Sequence, residues 1–141
     1  MRHLALAVLT FALGACASGP KPPAAEIPPA PATEFVELVN APDGTRVALK
    51  KGGELKIVLD ATTQTTGFGW QGPPNVAPLL SPIGQRIYVS KSTNPIDLAA
   101  GGYNVLRYRA ADTGKATLTM EYRRPWETEP GKVLKYEVTV E

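Results

Sequence analysis

The chain has 141 residues, a formal net charge of +2, one cysteine and one histidine. A single cysteine excludes an intramolecular disulfide, and so small a net charge gives no long-range attraction for nucleic acid. His3 lies at the extreme N-terminus, which removes Ser-His-Asp and Cys-His nucleophiles and His/Cys metal sites from the remainder of the chain. We therefore expect a protein that is not an enzyme and holds no metal or cofactor.

The N-terminus is typical of an export signal. Met1-Arg2-His3 is a basic start, and residues 4–13 form an apolar run that is too short to span a bilayer. Residues 13–16 read Leu-Gly-Ala-Cys, which resembles the bacterial lipobox, so cleavage before Cys16 would leave that cysteine lipidated as a membrane anchor. Because Ala17 is not the aspartate of inner-membrane retention, we expect the outer membrane, facing the periplasm. The alternative is an ordinary secreted protein in which Cys16 is incidental.

The remaining sequence divides into a tether and one domain. After the signal peptide (residues 1–15), residues 16–33 carry the lipidated cysteine and a stretch rich in proline and alanine. Such a composition favours an extended, polyproline-like spacer. Residues 34–141 are long enough for one domain with its own hydrophobic core, and we expect this domain to be monomeric.

The domain alternates apolar and polar residues with a period of two, which predicts strands with one buried face. The pattern is clearest over residues 55–59, 116–122 and 134–140, and weaker over 35–39, 45–49, 86–90 and 104–110. Turn residues separate these runs at 40–44, 51–53 and 112–114. About seven or eight short strands predict an immunoglobulin-like antiparallel β-sandwich, with a small barrel as the alternative.

Two segments contain residues that are unusual for simple connections. Loop 1 (residues 65–70) reads Thr-Thr-Gly-Phe-Gly-Trp, in which short threonines and flexible glycines suit a narrow wedge. The alternative for Phe68 and Trp70 is a place in the core. Loop 3 (residues 124–127) reads Arg-Pro-Trp-Glu, in which Pro125 stiffens the backbone just where Trp126 projects. The alternative for Trp126 is a ring packed against the core.

Loop 2 (residues 97–103) is less specific, because Gly101-Gly102 before a strand is ordinary hairpin punctuation. Together, however, the three loops resemble the chagasin family of cysteine-peptidase inhibitors. That family has a first loop Asn-Pro-Thr-Thr-Gly-Tyr-x-Trp, a glycine-rich second loop and a third loop Arg-Pro-Trp-Glu. The resemblance extends over about residues 34–140, and the matching positions are Thr65, Thr66, Gly67, Trp70, Gly102, Gly114, Leu118, Tyr122, Arg124, Pro125, Trp126 and Glu127.

The resemblance implies a reversible inhibitor of papain-like cysteine peptidases whose three loops occlude the active-site cleft. The residues it would place against the peptidase are Thr65, Thr66, Gly67, Phe68, Gly101, Gly102, Arg124, Pro125, Trp126 and Glu127. Phe68 replaces the family's tyrosine, and Thr63-Gln64 replaces its Asn-Pro. Because loop 1 lacks that proline, we expect it to lose more conformational entropy on binding.

Two other classes of function remain open at this point. A non-inhibitory β-sandwich lipoprotein that binds or adheres to envelope components would use the same anchor and tether. An enzyme would need two carboxylates some 5 to 10 Å apart in a cleft, for which Asp60, Asp97 and Glu127 are the candidates, and a convex loop end offers no obvious cleft.

Overall fold

The structure is a computed structural model and describes residues 32–73, 76 and 78–141. The predicted signal peptide, Cys16 and the tether as far as residue 31 lie outside the described residues. The described part of the chain forms eight strands: β1 (Thr33–Val39), β2 (Arg46–Ala61), β3 (Gly69–Gln71), β4 (Leu80–Pro82), β5 (Ile87–Ser90), β6 (Gly102–Ala110), β7 (Gly114–Arg123) and β8 (Lys132–Val140). Its helical segments are α1 (Thr63–Thr66) and a 3-10 turn (Leu98–Ala100), and neither is long and apolar enough to cross a membrane.

Strand β2 connects the two layers of the sandwich. Its first part, Arg46 to Leu49, pairs with β8, and its second part, Glu54 to Ala61, pairs with β6. The sequence predicts two strands separated by a turn at residues 51–53, and that prediction is wrong because the strand continues through a bend. Gly52 takes the positive φ of 87° at this bend, and a Cβ on Gly53 would lie 2.8 Å from the carbonyl oxygen of Glu34.

The strand order is β3-β7-β8-β2-β6-β4, with β1 added beside β2 and β5 added beside β6. The pairs β1–β2 and β2–β8 are parallel, and the other pairs are antiparallel. Among the described residues the pairing does not close into a ring, so the curled sheet is a sandwich and not a barrel. The predicted immunoglobulin-like β-sandwich is therefore confirmed.

The core consists of the inward side chains of both layers. It is built by alternate residues of the long strands, including Leu55, Ile57, Leu59, Leu118, Met120, Tyr136 and Val138. The buried Tyr136 donates its hydroxyl hydrogen bond to the carbonyl of Ala41 at 2.7 Å. Burial also raises the pKa of Tyr108 to about 12. This rigid scaffold carries the three loops at one end.

Candidate functional site: three loops at one end of the sandwich

Loop 1 begins on a closed helical turn. The amides of Thr65 and Thr66 donate to the carbonyl of Thr62 at 3.1 and 2.9 Å, and Gly67 ends the turn with φ 77° in the left-handed region. The Thr62 and Thr66 hydroxyls share a hydrogen bond at 2.9 Å, and the Thr63 hydroxyl donates to the carbonyl of Phe68 at 2.8 Å. Local hydrogen bonds therefore hold the loop in shape where the family has a proline, and they leave Thr65 and Thr66 exposed.

Tyr122 of β7 supports loop 1 from below. Its ring lies 5.3 Å from that of Phe68 and 5.0 Å from that of Trp70, and its hydroxyl lies 3.0 Å from the hydroxyl of Thr62. Trp70 is only 4% exposed and donates from Nε1 to the carbonyl of Asp60 at 2.9 Å. Of the two readings of Trp70 that the sequence leaves open, the core one is correct, and Phe68 is half-buried beside it.

Asn104, which lies outside the loop motifs, supports the backbone of loop 1. It is the buried polar residue of the core, and its side-chain Oδ1 accepts the backbone amide of Trp70 at 2.8 Å. The signal was present in the sequence, because Asn104 shares the inward register of β6 with Leu106 and Tyr108. Because this buried side-chain amide is hydrogen-bonded to the backbone, it fixes the position of Trp70, where loop 1 runs into β3.

Arg124 joins loop 3 to loop 1. Its Nε donates to the carbonyl of Thr66 at 2.8 Å, and its guanidinium lies over the ring of Phe68, 4.4 Å from the centroid. Its Nη1 also pairs with Oε1 of Glu127 at 3.1 Å, so the same side chain closes loop 3 on itself. Arg124 and Glu127 therefore brace the loops, and neither is simply a solvated charge.

Trp126 is the exposed aromatic of the loop end. Its side chain is 72% exposed, so the alternative reading of a core-packed ring is wrong. One edge of the indole lies against loop 1, because a Cβ on Gly67 would be 3.1 Å from Cη2 of Trp126. Gly67 of loop 1 thus has a role within this protein, because the absence of a side chain there makes room for the indole of loop 3. Pro125, also exposed, precedes it.

Loop 2 contains the 3-10 turn and lies beside the base of loop 1. A cleft of about 380 Å³ adjoins both loops: it is lined by Trp70 of loop 1 and by Ala99, Ala100 and Gly101 of loop 2, together with Thr62 and Tyr122. Gly101 has φ 68°. Gly102 is buried, and a Cβ there would lie 2.3 Å from the carbonyl oxygen of Val89. Packing within this protein therefore requires glycine at position 102. A partner that binds on this side would therefore contact the residues next to Gly102 and not Gly102 itself.

In the described part of the chain, three ion pairs lie at or near the loops: Lys91 with Asp60, Arg123 with Glu121 and Arg124 with Glu127. Asp60 contacts Nζ of Lys91 at 3.0 Å, and this hydrogen bond raises the pKa of Lys91. Glu127 is bound to Arg124. Within the described residues, no group of histidine, cysteine, aspartate or glutamate side chains could hold a metal ion. The loop end is thus suited to steric contact with another molecule, and the carboxylates of Asp60 and Glu127 are engaged by neighbouring cations.

These features define a class: a β-sandwich that presents three preformed, non-catalytic loops at one end. The chain matches the model of the family described as Chagasin family peptidase inhibitor I42 over residues 48–140. The chain therefore belongs to the chagasin family and is a cysteine-peptidase inhibitor, not an enzyme, as its sequence predicts.

Solved structures show the same fold. The solution structure of amebosin has a TM-score of 0.62 and 24% identity, covering 77% of this chain and 99% of that one. The cysteine protease inhibitor EhICP2 from Entamoeba histolytica has a TM-score of 0.62 and 21% identity, covering 76% of this chain and 96% of that one. No curated protein sequence gave a significant match.

Proposed function

We propose that this protein reversibly inhibits papain-like cysteine peptidases by inserting loop 1 into the active-site cleft, with loops 2 and 3 on either side. The observation that carries the proposal is the Arg124 bridge, which sets the exposed Thr65 and Thr66 beside the exposed indole of Trp126. A continuous convex edge of threonine, glycine and tryptophan is complementary to a groove, and no covalent step is needed to block one.

The binding free energy comes from preorganisation and from the indole. Loop 1 is closed by its own hydrogen bonds and braced by Arg124, so little conformational entropy remains to be lost on docking. Tryptophan is the side chain most often found to dominate protein interfaces, where truncation costs about 2 kcal/mol or more. Because the indole of Trp126 is largely exposed in the free protein, its burial by a partner can still contribute to the binding free energy.

The test is inhibition of papain by the purified domain, with one bulky substitution at the wedge. Thr65→Arg lengthens an exposed side chain of loop 1, so we expect the inhibition constant to rise by about a hundredfold or more. Thr117→Arg is the matched control, because Thr117 is an exposed threonine in the middle of β7, paired with Glu137. It should leave inhibition within about twofold of the unmodified protein.

Two results would reject the proposal. The first is an unmodified domain that leaves papain and related peptidases fully active at micromolar excess, as a purely adhesive β-sandwich lipoprotein would. The second is a Thr65→Arg variant that is folded and inhibits as well as the unmodified domain, which would place the contact elsewhere on the surface.

We also propose that the inhibitor is a lipoprotein of the bacterial envelope, anchored through Cys16 at the outer membrane and facing the periplasm. The support is the Leu-Gly-Ala-Cys sequence at residues 13–16 and the proline-rich tether that follows it. Expression of the full chain in a bacterium should give a membrane-bound protein, and Cys16→Ala should prevent lipid attachment. A Cys16→Ala protein that still carries acyl chains would contradict the anchor.

A further inference from the structure

The β5–β6 connection (residues 91–101) exposes two large apolar side chains at its tip. Ile96 is 83% exposed, the highest value among the exposed large hydrophobic residues of the described part of the chain, and Leu98 is 46% exposed. Large apolar side chains that lie close together on an exposed surface are typical of interaction sites. Leu98 lies in loop 2 and Ile96 just before it, and neither is among the residues that the resemblance places against the peptidase.

The tip is held in place by a series of short-range hydrogen bonds. The amide of Ser92 donates to the Ser90 hydroxyl, and the amide of Asn94 donates to the Ser92 hydroxyl, each at 3.1 Å. Asn94 then accepts the amide of Ile96 at its side-chain oxygen and that of Asp97 at its carbonyl. Ile96 is therefore presented by an ordered backbone, so covering its side chain requires little further ordering.

The position of the tip is continuous with the proposed binding surface. The amide of Lys91 donates to the carbonyl of Gly101 at 3.0 Å, which closes the base of the connection. The 3-10 turn that contains Leu98 continues into Ala99 and Ala100, which line the cleft beside loop 1. Since Gly102 is buried, the glycine pair itself offers a partner little surface on this side.

We propose that Ile96 and Leu98 form an apolar lip of the inhibitory surface, which favours peptidases whose cleft rim is apolar on the side that faces loop 2. This inference rests on the proposed function, since the occupant of the lip is the same peptidase that loops 1 and 3 engage. The ionisable side chains of the connection are Lys91, which is paired with Asp60, and the exposed Asp97 between the two apolar residues.

The experiment compares apolar-to-polar variants of exposed residues in papain inhibition. Ile96→Ser combined with Leu98→Ser should raise the inhibition constant about tenfold or more, because burial of one such side chain is worth roughly a factor of ten. Phe35→Ser is the matched control: Phe35 is also an exposed apolar residue, but it pairs with Glu54, at the end of the β2–β6 ladder away from loop 1. It should change inhibition less than twofold.

A second measurement separates contact from an indirect effect. Hydrogen exchange at the amides of residues 96–99 should slow when papain binds, while melting temperatures of the variants should match that of the unmodified protein. If the unmodified domain inhibits papain and the double variant inhibits equally well, only the lip is overturned. If the unmodified domain does not inhibit, the proposed function fails and the lip fails with it.

Discussion

Loops 1 and 3 are braced by a hydrogen bond between residues 58 positions apart in the sequence, whereas the β5–β6 connection that carries loop 2 is held largely by bonds within itself. A change in loop 3 must therefore be transmitted to loop 1, because Arg124 and Trp126 contact Thr66 and Gly67. A change at the tip of the connection should stay local. The proposed binding surface thus consists of two mechanically distinct units on one scaffold.

The largest expected effect tests whether packing of Gly102 against β5 determines the structure at the end of loop 2. Gly102→Ala would place a methyl group 2.3 Å from the carbonyl oxygen of Val89, so we expect a loss of about 3 kcal/mol or more in the free energy of unfolding. Urea denaturation measures this loss. Gly44→Ala is the control, since it has a positive φ but nothing within 4 Å, and it should cost only about 1 kcal/mol. An unchanged stability for Gly102→Ala would leave that glycine free to serve a partner.

The next effect separates the two tryptophans. Trp126→Ala should raise the inhibition constant for papain about thirtyfold, which corresponds to about 2 kcal/mol, and leave the melting temperature nearly unchanged because the ring is 72% exposed. Trp70→Ala should instead destabilise the fold by about 3 to 5 kcal/mol, since that ring is buried in the core. Unfolding of the Trp126→Ala variant would mean that this indole is structural.

A smaller effect tests the brace between loops 1 and 3. Arg124→Met keeps a long side chain but removes the hydrogen bond to Thr66 and the cation above Phe68, so we expect a loss of affinity of about tenfold. In a double-mutant cycle with Trp126→Ala the two losses should not add, because both residues support the same edge. Arg109→Met, an exposed arginine of β6, is the control and should have little effect. Strict additivity would show that the loops act independently.

The smallest effect concerns the ion pair at the base of the β5–β6 connection. The hydrogen bond to Asp60 raises the pKa of Lys91 above its ordinary value, so the ammonium stays charged at neutral pH and the pair is lost as the pH rises through the raised value. Because both side chains are well exposed, Lys91→Met should change inhibition at pH 7 by less than about threefold. A large loss at pH 7 would show that loop 2 depends on this pair as strongly as loop 1 depends on Arg124.

Much of the fold could be predicted from alternation alone. The predicted strands at residues 116–122 and 134–140 lie within β7 and β8, because both strands alternate regularly over most of their length. Strands β3 and β4 were missed, since three residues are too few to show a period of two. The bend in β2 was misread as a turn, because glycine pairs give the same signal in both settings.

The loops show a similar limit. Residue types predicted the exposed tryptophan, since a proline next to an aromatic residue in a polar loop is informative by itself. The bridge from Arg124 to Thr66 depends on how β7 pairs with β3, and no local pattern contains that register. The burial of Gly102 likewise depends on Tyr88 and Val89 of the neighbouring strand β5.

The long strand β2 has a consequence for how the two layers of this domain stay together without a disulfide. Antibody domains link their two layers covalently with a disulfide, which the single cysteine of this chain precludes. Here one uninterrupted stretch of backbone is a member of both layers, so sliding one layer over the other would require breaking its pairing with β6 or with β8. The main chain itself serves as the cross-link, and no reductant can cleave it.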